Sequence, residues 1–148
     1  MKTLKLNMDD LNEDFLKGVR MLCITASLKK HLFCWHLNSL FGFNFRLCNE
    51  KEMPVQKKNR NYFFSIYQSG ETNNPFVEHI LYHTQYDGEY LLPELKHMDY
   101  LWMIRGDVIE DEQLNWLKQG IKTINGVQMV AEITAEHIKS KGNLVFDI

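Results

Sequence analysis

LLPELKHMDYLWMIRGD, residues 91 to 107, runs a proline-started turn straight into the most apolar strand of the second half of the chain. Pro93 has no N–H to donate and its fixed φ suits the first position of a helix, so residues 92–97 read as one short helical turn. Glu94 then stands near the positive end of the turn's dipole, where a carboxylate is favoured. From Tyr100 the residues become aromatic, β-branched and large apolar, with Tyr100, Trp102 and Ile104 on one face and Leu101 and Met103 on the other. Two apolar faces predict a central strand. Asp99 sits at the junction, where a short acceptor side chain can take backbone N–H groups that neither helix nor sheet satisfies.

Within this stretch LPELKHMDY (residues 92–100) resembles the signature of the IPExxxVDY family, small bacterial proteins named for that motif and without an assigned activity. Pro93, Glu94, Asp99 and Tyr100 match it, while Leu92 stands for isoleucine and Met98 for valine, both conservative at a buried site. A strand followed by a helix with a Trp-x-x-Asn step (Trp35 to Asn38), upstream of an aromatic strand, is similar to the family's layout over most of the chain. The resemblance implies a single domain spanning residues 1–148; it implies no activity, cofactor or catalytic residue.

The chain of 148 residues is long enough to bury a core without disulfides or a structural metal. Hydrophobic residues at 45% and charged ones at 24% suit a soluble globular protein, and a net charge of -2 gives no reason to expect nucleic acid or an anionic membrane as partner. The start, MKTLKLNMDD, has no apolar core of signal-peptide length, and no run approaches the roughly 20 apolar residues of a membrane span. Cys23, Cys34 and Cys48 are an odd, widely spaced set, which points to reduced thiols and a cytoplasmic setting.

Along the chain, Thr3 to Met8 alternates like an edge strand, and Met21-Leu22-Cys23-Ile24 has the length of a strand covered on both faces, with Gly18 as a candidate bulge. Ser27 is placed to cap a helix over about 28–41 that Gly42 ends, and bulky residues cover so much of it that a second subunit could cover what the sheet does not. Phe43, Phe45 and Leu47 suggest a short strand, whereas 49–61, charged and interrupted by Pro54, reads as a mobile surface loop. Residues 62–67 and 77–86 should pair as a hairpin across the turn residues 69–75, with Asp87-Gly88 making the next turn. A helix over about 111–124 has acids at its start, Lys118 and Lys122 toward its end and Asn125-Gly126 as its stop; Leu114, Leu117, Ile121 and Ile124 form its stripe. Strands at 127–133 and 144–146, with a turn between, complete the chain. Two helices cannot cover both faces of so large a sheet, so the prediction is an α+β domain, mainly antiparallel, with both helices on one face and a ferredoxin-like part. The other face is solvated, covered by the amino-terminal segment or used for association.

No catalytic residue emerges. Glu94-x-x-His97 has di-iron spacing but lacks the second copy and further glutamates that such a site requires. His79 and His83, if on a strand, share a face roughly 13 Å apart, too far for one ion, and read as solvated residues on a polar face. His31 with Cys34, even joined by Cys23 and Cys48, makes no zinc knuckle. The serines form no nucleophile elbow, the eight glycines no phosphate loop, and Lys57, Lys58 and Arg60 beside Tyr62, Phe63 and Phe64 only faintly resemble an RNA-binding strand. Neither metal nor cofactor is expected.

Two functions of different class follow. One is a non-enzymatic interaction or structural module, a homodimer or a binder of another protein, acting through the first helix or the open sheet face. The other is a small-molecule binder or enzyme with a pocket at residues 92–105, where Glu94, Asp99 and Tyr100 join His97, Trp102 and Arg105.

Overall fold

The computed structural model describes residues 15–55, 60–70, 76–86 and 88–144, with the side chains of 49–55 and 60–62 excepted. In chain order the elements are β1 (Arg20–Ala26), α1 (Lys30–Phe41), β2 (Arg46–Val55), β3 (Arg60–Gly70), β4 (Glu78–His83), β5 (Gln85–Tyr86), β6 (Glu89–Tyr90), β7 (Tyr100–Arg105), α2 (Asp111–Lys122) and β8 (Val127–Ile133). Six strands form one sheet in the order β2-β3-β4-β7-β1-β8, antiparallel at every neighbour, and β5 and β6 pair separately as a small hairpin. The subset β8-β1-β7-β4 has the strand order of a ferredoxin-like βαββαβ unit, into which the β2–β3 hairpin is inserted after α1.

β7 lies inside the sheet, and every residue from Tyr100 to Ile104 is at most 1% exposed, as two apolar faces require. Its Tyr100, Trp102 and Ile104 join Leu22 and Ile24 of β1 beneath Phe33 and Leu37 of α1 and Leu114, Leu117 and Ile121 of α2. Both helices therefore cover one face. The other face, with Met21, Ile80, Tyr82, Leu101 and Met103, is covered by Phe15 and Leu16, by Leu91, Leu92 and Met98, and by Ile138 and Leu144. Three loop segments thus do the work of a second helical layer, each buried side chain contributing about 1.5–3 kcal/mol.

Several local expectations are corrected. Residues 49–55 are not a loop: β2 continues to Val55 and pairs with β3, Pro54 lying opposite Asn61. A terminal strand of the sheet needs backbone partners on one side only, so a proline is tolerated there. Ser27 does not cap α1, because its N–H donates to the Gly126 carbonyl and its hydroxyl accepts from Gln128; Lys29 takes the N-cap position without a side-chain bond. Gly42 does end the helix, in left-handed conformation at φ 76°. Gly18 precedes β1 instead of bulging it, and the irregularity falls between Thr25 and Ala26 opposite β8. Residues 92–98 make two successive tight turns, closed by Leu95 N–H to the Leu92 carbonyl and Met98 N–H to the Leu95 carbonyl, in place of one helical turn. The last short strand is replaced by a 3₁₀ turn, Lys141–Leu144, that drives Leu144 into the core. The strand expected at Thr3 to Met8, residues 71–75 of the hairpin turn, Asp87, and Phe146 lie outside the described residues.

Candidate functional site

Three of the signature residues, Glu94, Asp99 and Tyr100, have structural partners. Asp99 accepts the Ala26 N–H at Oδ2 (2.8 Å) and the Gln85 amide at Oδ1 (2.7 Å), while its own N–H donates to the Ile24 carbonyl and its carbonyl accepts from Thr84. Ala26 lies where β1 loses register with β8, so Asp99 satisfies an N–H that the ladder leaves. The Tyr100 hydroxyl donates to the Leu28 carbonyl at 2.6 Å and its ring packs on Phe33, which fixes the approach to α1. Burial pushes this phenol well above its ordinary range. Glu94 reaches the carboxy-terminal segment, accepting from the backbone of Lys139 and Ser140 and from the Ser140 hydroxyl. Pro93, exposed, follows buried Leu92 in the first turn.

The other three residues of the predicted pocket are not brought together. His97 is exposed, and its carbonyl accepts from the Thr25 hydroxyl. Trp102 is fully buried among Phe41, Phe43 and Phe45, its indole N–H donating to His79 Nδ1 at 2.9 Å. Arg105 stands at the far end of β7, paired with Glu78 at 2.7 Å and lying over the Phe15 ring.

His79 and His83 do share a strand face, but it is the helix-covered face, not a polar one. His79 is 1% exposed and stacks near Phe43, because its imidazole is the acceptor that makes a buried tryptophan tolerable there. His83 lies on Tyr100, and burial first, then the charge of Lys30, lowers its pKa to about 4. Cys23 and Cys34 fall in opposite core clusters, and burial raises the Cys34 thiol to about 12. Among the described residues no group of three His, Cys, Asp or Glu side chains converges. Of the residues compared with an RNA-binding strand, Phe64 is core and Lys57 and Lys58 lie outside the described residues.

One open cleft touches the signature. It has a volume of about 480 Å³ and lies where β1 ends, α1 begins and β4 ends, with Lys29, Lys30, His31, His83 and Asp99 on its walls. Lys30 Nζ donates to the Ser65 hydroxyl at 2.8 Å, a neutral partner that leaves the charge in place. The sequence carried one signal for it, Lys-Lys-His at the N-cap and first two positions of a helix with no acid in its first turn.

Fold and site together define an α+β sheet domain with a helix layer on one face, loop segments on the other, and a cationic cleft at one end. No protein-family model, no curated protein and no solved structure matches the chain. Among the described residues no helix is long and apolar enough to cross a membrane.

Proposed function

We propose that this is a non-enzymatic interaction module of the cytoplasm, related to the IPExxxVDY proteins, that self-associates through the outer surface of its helix layer. The observation that carries the reading is the exposure of Trp35 (61%) and Trp116 (62%), with Leu32 and Leu40 also exposed between them. Single exposed apolar residues are ordinary, but these form a band. Helical spacing sets Trp35, Leu32, His36 and Leu40 side by side across the outside of α1, and Leu40 and Phe41 meet α2 at Gly120 and Trp116. The opposite sheet face is no longer open for association, since the chain's own segments cover it. A second copy is the favoured occupant because α1 beyond Lys30 carries no Lys, Arg, Asp or Glu, so two such surfaces meet without like-charge repulsion. The contacts made by Glu94, Asp99 and Tyr100 support a structural signature. Sedimentation equilibrium tests the proposal: the native chain forms a dimer, and Trp35→Glu, at a residue 61% exposed, sediments as a monomer with native circular dichroism. A native chain that stays monomeric at millimolar concentration overturns it.

A further inference from the structure

The cleft at the start of α1 is the feature that neither the sheet nor the dimer surface explains. Its charged walls among the described residues are Lys29 and Lys30 against Asp99, whose oxygens are turned to the Ala26 N–H and the Gln85 amide, so the cleft carries two positive charges to one negative. Lys29 makes no capping bond with its side chain, and Lys30 rests on the uncharged Ser65 hydroxyl. The positive potential registers on a neighbour, since Lys30 adds to burial in holding His83 neutral. His83 in turn is fixed by its packing on Tyr100, so the cleft has one rigid aromatic wall beside two ammonium groups.

We propose that this cleft binds a small phosphorylated molecule, its phosphate held by Lys29 and Lys30 and its remainder lying toward His83. The donors decide the anion. A planar carboxylate is best matched by the fork of an arginine, whereas separate ammonium groups act as point charges that suit the several oxygens of a phosphate. Among the described residues of its walls, both charged donors are lysines and none is an arginine. The volume, about 480 Å³, lies in the usual range of small-molecule sites, so the cleft has room for an organic group as well as the anion.

The test is an amide NMR titration of the full chain with inorganic phosphate, with acetate and chloride at matched ionic strength as separate arms. Saturable shifts confined to residues 27–31 and 83–85 in the phosphate arm are the expected result, with affinity falling about tenfold in Lys29→Gln, a residue whose side chain makes no capping bond in the folded protein. Lys29→Gln with Lys30→Gln abolishes saturation. Shifts that merely follow ionic strength, equal binding of acetate, or undiminished binding by either variant overturns the proposal.

Discussion

Glu94 ties the turn before the central strand to a segment more than forty residues later, through Lys139 and Ser140. Burial works against its charge, but the donors from Ser140 and Lys139 outweigh it and hold the carboxyl below its ordinary value. A carboxyl depressed in the folded state stabilises above its unfolded pKa and loses that contribution as pH falls through the folded value. Replacement by alanine is therefore expected to lower stability at neutral pH by about 1 kcal/mol, the discounted value for charged hydrogen bonds at a largely solvated group. Urea unfolding of the native chain and Glu94→Ala should show that gap at neutral pH and a smaller one in acid below the ordinary carboxyl range. An equal gap at both would mean that the lost interaction is not ionic. The motif pointed to Glu94 as a residue with a role at its own turn, where its backbone N–H does favour the charge, but the partners Lys139 and Ser140 were hidden, because no local pattern announces a contact made so far along the chain.

At the scale of elements, β7 was legible because it is apolar on both faces, and α2 because its stripe, acids and lysines agree. β2 was legible only at its start, around Leu47, since the pairing of an edge strand is set by β3 and leaves little trace in the polar residues that follow. The burial of His79 was equally hidden: a histidine in Glu-His-Ile-Leu-Tyr-His reads as polar until the Trp102 indole stands beside it. The cleft was illegible for a third reason, its walls coming from three separated parts of the chain. How β7 ends yields a prediction. Gly106 follows Arg105 at φ 112°, and a Cβ there would overlap the Phe76 carbonyl oxygen, backbone that cannot turn aside as a side chain could. Gly106→Ala combines a disfavoured dihedral with overpacking, so about 3 kcal/mol of stability should be lost. Thermal unfolding measures it; a variant within about 0.5 kcal/mol of the native chain would show that the β7 exit relaxes freely.

Across the whole molecule, the six-stranded sheet is buried on both sides although helices cover only one, and Tyr82 shows how the second side is closed. Its hydroxyl donates to the Leu144 carbonyl at 2.7 Å, at a position where burial raises the phenol far above its ordinary range, so the neutral donor is the only form that fits. Ile138 and Leu144 bury beside it, and Asn143 donates to the Leu91 carbonyl, so the last segment and the signature turn close one lid over Leu101 and Met103. Among the described residues, ending the chain after Thr134 removes the buried Ile138 and Leu144, a partner of Tyr82 and the Lys139 and Ser140 donors to Glu94 together. At about 1.5–3 kcal/mol for each aliphatic residue and about 1 kcal/mol for each hydrogen bond, the loss is about 5 kcal/mol or more, comparable with the entire stability of many domains. The shortened chain should keep its helical circular dichroism while binding a hydrophobic dye and losing a sharp calorimetric transition, because the helix-covered core survives and the opposite sheet face is laid open. A shortened chain that melts as cooperatively and as hot as the native one would show that the helix-covered face alone carries the fold.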